Sequence, residues 1–223
     1  MIASAIELTA TEFDTVWHEL GLGQVPYPLT MPRTEATTRQ RVATAERVRR
    51  ALGERGLTYE ASDSDLARFL GVLAEGEVSV DAVGQLGGPL RGLTAAVRGL
   101  GVTATISQNT VWLMEVWPEL IVESIVDIVP PEWPGPGAAR VVPIISLAAV
   151  MAGRVGSGEF GVTVAGPGGT RRRADQPVRW FDTRDGRYLL ARQGDWVSVT
   201  PADNQRIAHR IREVIGALTT RAR

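Results

Sequence analysis

The chain has 223 residues and a net charge of −1, from 24 arginines and no lysine against 25 aspartates and glutamates. This balance argues against bulk electrostatic attraction to nucleic acid or to an anionic membrane. Cysteine is absent, which excludes disulfides, thiol nucleophiles and cysteine-bound metals. The only histidines, His18 and His209, lie near opposite ends of the sequence, whereas most zinc sites and histidine-based catalytic dyads need more.

The sequence lacks the patterns of a secretory signal and of a membrane span. Its first residues do not combine a basic stretch with a long apolar one. The most apolar stretch, residues 141–153, contains Pro143 and is shorter than the ~18–20 residues that a membrane span needs. We therefore expect a cytoplasmic protein that does not insert into membranes.

The N-terminal third predicts one strand and three helices. Residues 6–8 have the pattern of a strand, and Thr9 and Glu12 have capping-box spacing at the start of the first helix. The second helix is predicted over residues 37–55, and the third from Ser62. Apolar residues at helical spacing predict the buried stripes of these helices: Phe13, Val16, Trp17, Leu20, Val42, Ala45, Val48, Leu52, Leu66, Phe69, Leu70 and Leu73.

Between residues 78 and 116 the apolar period changes from 3.6 to two. This alternation predicts a four-stranded antiparallel meander, with a break at Gly87-Gly88-Pro89 and a turn at Gln108-Asn109. Pro118 then stands at the expected first turn of a helix, where its missing N–H is not needed. Residues 130–137 contain four prolines and two glycines, which predicts a linker.

The second half repeats this order of elements after a short apolar helix around residues 144–151. Asp185-Gly186 is typical of a hairpin turn, and Pro201 is expected to start the last helix, with Thr200 and Asp203 in capping-box spacing. The strands are predicted at residues 160–164, 178–182, 187–192 and 196–200. The apolar stripe of the last helix is Ile207, Ile211, Val214, Ile215 and Leu218.

These patterns predict an α/β (α+β) fold in a single domain, residues 1–223. Each half consists of four strands and an amphipathic helix, which indicates an internal pseudo-two-fold repeat. The halves extend over about residues 1–131 and 138–220 and are joined by the linker of residues 130–137.

The glycine-rich and acidic motifs do not form a reactive site. The loop of residues 166–169 lacks the lysine and the helix of a P-loop, and the glycines of residues 153–158 precede a strand, so that we expect a connector there. Asp182, Asp185 and Asp195 fall at predicted strand ends and turns, where aspartate is favoured. We therefore expect no enzyme activity, no metal and no cofactor.

The one concentrated basic run is Arg171-Arg172-Arg173. Its position next to a predicted hairpin favours a solvated turn or a contact with an acidic protein. A nucleic-acid-associated regulatory protein that uses this run is the alternative function, and a salt-dependent affinity for DNA or RNA would favour it. An enzyme with an unrecognised site is a third possibility.

Several short motifs together resemble a known family. In the C-terminal part they are Phe160-Gly161, Arg171-Arg172-Arg173, Trp180-Phe181-Asp182-Thr183, Asp185-Gly186-Arg187-Tyr188, Asp195-Trp196-Val197 and Pro201-Ala202-Asp203. In the N-terminal part they are Glu7-Leu8-Thr9, Trp17-x-x-Leu20-Gly21-Leu22-Gly23 and Pro26. This series resembles the EspG family, the cytosolic chaperones of actinobacterial type VII (ESX) secretion systems.

The resemblance implies a pseudo-symmetric fold, with a central antiparallel sheet flanked by helical bundles. It implies a chaperone without enzyme activity or cofactor that binds PE–PPE-type helical heterodimers at the tip of the PPE subunit. Covering that tip would shield exposed apolar residues and keep the substrate soluble until export. We expect a monomer or a weak homodimer.

The resemblance also implies where the partner binds. In the family the partner contacts the loop between the second and third strands, the sheet and the C-terminal helical bundle. The loop corresponds here to Gln85-Leu86-Gly87-Gly88-Pro89-Leu90, with Leu86 and Leu90 as apolar contacts. A simple hairpin connection is the alternative for this segment. On the last helix, Arg206, Arg210 and Arg212 lie off the apolar stripe and are candidate contacts for acidic groups; a solvated helix face is the alternative.

Overall fold

The computed structural model describes residues 5–31, 37–97 and 99–220 of the chain. The expectation for the first four residues therefore lies outside the described part. Within these ranges, no helix is long and apolar enough to cross a membrane.

The N-terminal part forms one strand and three helices, as predicted. Thr9 and Glu12 make the predicted capping box: the Thr9 N–H donates to Glu12 Oε2 (2.7 Å) and the Glu12 N–H donates to Thr9 Oγ1 (3.2 Å). The predicted start of the third helix at Ser62 is wrong, because the Ser64 hydroxyl accepts from the Ala67 N–H and caps the helix two residues later. The elements are β1 (Ala5–Thr9), α1 (Ala10–Glu19), α2 (Thr38–Glu54) and α3 (Asp65–Glu75).

The predicted apolar stripes are confirmed for α1 and α3 but narrower for α2. Val48 and Leu52 of α2 are buried, whereas Ala45 is half-buried and Val42 is 55% exposed. The reason is that α2 packs mainly on α1 rather than on the sheet, so that only part of its circumference is covered. By contrast, α3 lies directly on β3 (Pro89–Val97) and buries Leu66, Phe69, Leu70 and Leu73.

The predicted meander and the helix after it are confirmed. Gln108 has a positive φ of 53° in the turn before the last strand. Pro118 opens a single 3-10 turn that leads into the helix. The remaining elements of this half are β2 (Val78–Leu86), β4 (Leu100–Ser107), β5 (Thr110–Val116) and α4 (Ile121–Val126).

The second half contains two strands that the sequence patterns did not indicate, β6 and β8. β6 is short and lies at the sheet edge, and β8 is the arginine run itself. The elements are β6 (Arg140–Pro143), α5 (Leu147–Val150), β7 (Gly156–Ala165), β8 (Arg171–Arg173), β9 (Val178–Thr183), β10 (Gly186–Gln193), β11 (Trp196–Pro201) and α6 (Asn204–Thr220).

Two predicted boundaries in this half are wrong. The glycines expected in a connector are partly in β7, because Gly156 leaves room for the Leu86 side chain, which lies 2.3 Å from where a Cβ would be. Pro201 ends β11 instead of starting the last helix. The Arg206 N–H donates to Asp203 Oδ1 (2.8 Å) at the start of α6, so that the predicted pairing of Thr200 and Asp203 does not form.

The strands form one large antiparallel sheet. Its order is β1-β5-β4-β3-β2-β7-β9-β10-β11-β6, with β8 paired to β7. β2 and β7 join the two halves at the centre over nine residue pairs, from Val78↔Val164 to Leu86↔Gly156. A single sheet therefore extends through both halves of the described part of the chain, which confirms the predicted mixture of helices with a central antiparallel sheet.

Each face of this sheet has its own core. On one side, which we call the α4–α6 face, both helices cover the central strands; its buried residues include Val80, Ile125, Phe160, Trp180 and Ile211. On the other side, which we call the α1–α3 face, the three N-terminal helices cover β1 and β3–β5; its buried residues include Phe13, Trp17, Leu70, Leu93 and Val102.

Candidate functional site

The α1–α3 face is covered unevenly. Helices α1 and α3 lie over the first half of the sheet. In the second half, Val150 of α5 and residues 152–155 after it line a cleft of about 590 Å³ together with Phe181 and Tyr188. Between the helices on one side and the α5 region on the other, side chains of the central strands are exposed to solvent.

We call this exposed part the open sheet face. It consists of side chains from β2, β7, β9 and β10 that the strand register places on the same side as Leu93 and that are all half-buried or exposed. They are Val83, Gln85, Ser157, Glu159, Arg179 and Leu190. Because the four central strands hold them, these side chains form a broad and rigid surface with apolar and charged groups.

A loop forms one wall of the open sheet face. Arg91, in the same register row as Val83, donates from Nε to the Pro28 carbonyl oxygen (3.0 Å) and from Nη2 to the Thr30 carbonyl oxygen. These hydrogen bonds fix the loop, whose Tyr27 ring is 58% exposed. Aromatic rings held at the rim of a surface are frequent anchors in protein interfaces.

The charges at this surface occur in pairs. Arg179 Nε lies 3.0 Å from Glu159 Oε2, and both side chains are exposed. Deeper in the sheet, Arg173 makes a two-point contact with the buried carboxylate of Asp81, at 2.5 and 2.9 Å. Its hydrogen bonds to Asp81 raise the pKa of Arg173 above its usual range. The surface therefore presents charges of both signs, which favours an orienting role over non-specific attraction.

The predicted loop of residues 85–90 is instead a tight hairpin. Gln85 and Leu86 belong to β2, Pro89 and Leu90 belong to β3, and only Gly87 and Gly88 lie outside the strands. The Leu86 N–H donates to the Gly88 carbonyl oxygen (2.8 Å) and Gly87 has a φ of 66°, which favours glycine. The alternative, a simple hairpin connection, is thus the structure that forms.

The two leucines of this hairpin point away from the open sheet face. Leu86 and Leu90 are half-buried and pack against the core of the α4–α6 face. Gln85 and Pro89 are exposed and share the register of the open sheet face. Contact of the hairpin with a partner stays a prediction. Gln85, Gly87 and Pro89 are more accessible for such a contact than the two leucines, because they are exposed.

The three arginines of α6 do not act as one cluster. All are exposed, but Arg212 pairs with Glu123 of α4, whereas Arg210 pairs with Glu213 of its own helix (2.8 Å). Arg206 and Arg210 border a groove between α6 and β10 that does not include Arg212. All three belong to the α4–α6 face, opposite the open sheet face. Their contact with a partner stays a prediction.

The arginine run is engaged within the protein. Arg171 donates to the Ala74 carbonyl oxygen (3.2 Å) and Arg172 to the Leu218 carbonyl oxygen (3.4 Å), while Arg173 holds Asp81. Side chains alternate along β8, so that Arg171 and Arg173 lie on one face of the sheet and Arg172 lies on the other. The run therefore links the sheet to α3 and α6 and is not a continuous basic patch.

The expectation that Asp182 serves a turn is wrong, because it forms a buried ion pair. Arg187 is 0% exposed and contacts the Asp182 carboxylate at 2.7 and 2.8 Å. It also donates to the Pro130 carbonyl oxygen (3.0 Å), contacts the Asn204 side chain and lies 4.9 Å from the ring centre of Trp180. Side chains two residues apart in a strand lie on the same face, so the position of Asp182 two residues after Trp180 is the sequence signal that places both on the buried face. Asp185 and Asp195 are exposed in turns, as predicted.

The same arginine anchors the predicted linker. The Arg187 N–H donates to the Trp133 carbonyl oxygen (2.8 Å) and the Gly135 N–H donates to the Arg187 carbonyl oxygen (3.0 Å). The Tyr188 hydroxyl donates to the Pro136 carbonyl oxygen (3.1 Å). Residues 130–137 are thus bound to β10 and pack as part of the second half.

The described residues show no grouping of three or more His, Asp and Glu side chains that would hold a metal ion. His18 and His209 are both exposed, on α1 and α6 respectively. The candidate site is the open sheet face, which is built from strands, a hairpin and a loop.

Comparisons with known proteins agree with this architecture. A solved structure of the Mycobacterium tuberculosis type VII secretion system chaperone EspG5 in complex with the PE25–PPE41 dimer is similar in fold, with a TM-score of 0.68 and 16% identity over 95% of this chain and 96% of that chain. No curated protein matches the chain. The model of the EspG family matches residues 9–213, nearly the whole length. The chain belongs to the EspG family.

Proposed function

We propose that this protein is a type VII secretion chaperone that binds a PE–PPE heterodimer. The membership in the EspG family and the fold shared with EspG5, which was solved with the PE25–PPE41 dimer, support this function. We assign the binding to particular residues because of the open sheet face, which is an exposed and rigid surface between two covered regions.

The tip of the PPE subunit is the part of the substrate that we place on the open sheet face. A helical tip with exposed apolar residues tends to aggregate, and covering it removes that tendency. Val83 and Leu190 offer apolar area, while Arg179 and Glu159 offer charges that orient the partner. Gln85 and Pro89 extend the surface to the hairpin. The remaining predicted contacts at Leu86, Leu90, Arg206, Arg210 and Arg212 are on the opposite face and are less suited to this partner.

The protein acts, in this proposal, as a cytoplasmic binding protein without enzyme activity or cofactor. The whole chain forms one domain, with the helical layers of its two halves as the flanking bundles. The order β5-β4-β3-β2 followed by β7-β9-β10-β11 supports a pseudo-two-fold relation, because each meander continues into a helix, α4 or α6, on the same face. Such internal symmetry favours a monomer or a weak homodimer.

The alternative function, a nucleic-acid-associated regulator, has less support. It rests on the run from Arg171 to Arg173, whose guanidinium groups contact backbone and carboxylate oxygens of the protein itself. Binding of nucleic acid by these groups would require those contacts to break.

Co-expression with a PE–PPE pair from the same genome, followed by size-exclusion chromatography, tests the proposed function. We expect the wild-type chain to co-elute with the pair. Arg179→Glu should abolish co-elution, because it replaces an orienting charge by a repulsive one beside Glu159. The matched control is Arg68→Glu on α3, where an arginine of similar exposure pairs with Asp65.

The outcomes separate the function from its location. If the wild-type chain does not co-elute with a soluble pair, the proposed function is wrong. If both variants co-elute like the wild type, the chaperone function stands and the open sheet face is not its site. Thermal melts of each variant exclude misfolding. Leu86→Asp and Leu90→Asp would be poor probes, because both leucines pack in the protein's own core.

A further inference from the structure

A second candidate binding site lies on the α4–α6 face. A groove of about 360 Å³ runs between α6 and the strands β9 and β10. We propose that this groove binds a short acidic, amphipathic segment of a second protein partner. It lies on the other side of the sheet from the open sheet face and shares with it only Leu190 of β10, so this inference goes beyond the proposed function.

The charges of the groove favour an acidic ligand. Arg192, Arg206 and Arg210 line it, against one carboxylate, that of Glu213. Glu213 is already paired with Arg210 at 2.8 Å, and this hydrogen bond lowers the pKa of Glu213. Among the described residues, the guanidinium groups of Arg192 and Arg206 form no ion pair. Two cations at its rim therefore have no carboxylate partner from the described part of this chain.

The floor of the groove is apolar. Val178 is buried, and Leu189 and Val214 are half-buried beside Pro177 and Ala191. A ligand with carboxylates on one side and apolar residues on the other matches both the floor and the rim. From Arg206 to Val214 the groove extends along α6 for about 12 Å, the length of roughly two helical turns.

The lining favours a protein segment over nucleic acid. Binding of a single strand depends largely on aromatic rings on which the bases stack, and the residues that line the groove include no Phe, Tyr or Trp. A peptide carboxylate can instead pair with Arg206 or Arg192, both of which line the groove.

Fluorescence anisotropy with three labelled peptides of about twelve residues tests the proposal. The peptides share a leucine pattern at helical spacing and carry Glu, Gln or Lys at the other positions. We expect the Glu peptide to bind at least about tenfold more tightly than the other two, since charge-assisted hydrogen bonds supply the difference. Arg206→Glu should weaken that binding by a similar factor.

The neighbouring residue provides a matched control. Gln205→Glu makes the charge more negative on the same helix, but Gln205 lines a different cleft, beside Glu123 and Arg212. We expect Gln205→Glu to bind the Glu peptide nearly as well as the wild type. Equal losses in Gln205→Glu and Arg206→Glu, or equal binding of the Glu and Gln peptides, would overturn the proposal.

Two further measurements distinguish this groove from a nucleic-acid site and from the substrate site. Tighter, Arg206-dependent binding of a single-stranded oligonucleotide would overturn the choice of an acidic protein segment. Co-elution of Arg206→Glu with the PE–PPE pair is expected to be unchanged. If Arg206→Glu loses both co-elution with the pair and binding of the Glu peptide, the groove belongs to the substrate site. This result would overturn its separate role.

Discussion

The two halves of the sheet are similar on one face and different on the other. On the α4–α6 face, each half carries one amphipathic helix over its strands. On the α1–α3 face, most of the first half is buried under helices, whereas the second half is exposed at Glu159 and Arg179 and has only the short α5 region beside it. The surface continues onto the half-buried Val83 of β2, at the border of the first half. Similar strands therefore form a buried core in one half and an exposed surface in the other, depending on what covers them.

The largest expected effect is on the free energy of unfolding and comes from the second half, which has less helical cover on the α1–α3 face. Arg187→Ala leaves the Asp182 carboxylate buried and unpaired and frees Asn204 and the Pro130 carbonyl. We expect the free energy of unfolding to fall by about 3–5 kcal/mol, as measured by urea denaturation. Arg179→Ala, which breaks an exposed pair in the same half, should cost about 0.2–1 kcal/mol. Similar losses for both variants would contradict the role of the buried pair.

Two leucines on the same face test the difference between the halves directly. Leu93 is 3% exposed beneath α3, so that Leu93→Ala should reduce the free energy of unfolding by about 2–5 kcal/mol. Leu190 is half-buried on the open sheet face, and Leu190→Ala should cost less than about 1.5 kcal/mol. We expect the second variant, not the first, to bind the PE–PPE pair more weakly while still folded. Equal destabilisation would mean that the open sheet face is part of the core.

The smallest effect is a pH dependence in the covered half. Burial, together with the hydrogen bond that its hydroxyl donates to Glu19, raises the pKa of Tyr59 to about 12. The folded state holds this proton more tightly than the unfolded state, so its contribution to stability is present below pH ~10 and is lost as the pH rises towards ~12. In a pH titration followed by phenolate absorbance, we expect a late titration step in the wild type that is absent in Tyr59→Phe. Titration of Tyr59 near pH 10 in the folded protein would contradict this.

Local patterns predicted much of the fold because they depend on neighbouring residues. The Thr9–Glu12 capping box requires only one helical turn, and the alternation of β2–β5 follows from the pleat. The starts of α3 and α6 were wrong because neighbouring residues, Ser64 and Asp203, cap them instead of the predicted ones. The start of β7 depends on a distant partner. Gly156 belongs to a strand because the side chain of Leu86, which is far away along the chain, occupies the space beside it.

Alternation alone could not distinguish a buried polar residue from a solvated one. Asp81 alternates with apolar residues as an exposed residue would, yet Arg173, from β8, covers it. The arginine run was prominent in the sequence, but its contacts with α3 and α6 required the fold. For the same reason the sequence located the hairpin of residues 85–90 without showing that Leu86 and Leu90 face the core.

Hydroxyl-radical footprinting of the protein with and without its PE–PPE pair tests most directly whether the open sheet face, and not another exposed surface, binds the substrate. We expect reduced labelling of Leu190, Val83 and Tyr27 in the complex. Labelling of Trp112 and Met114, which are exposed on the opposite face of β5, should be unchanged. Protection of Trp112 and Met114, with Leu190 and Val83 labelled as in the free protein, would contradict the proposed site.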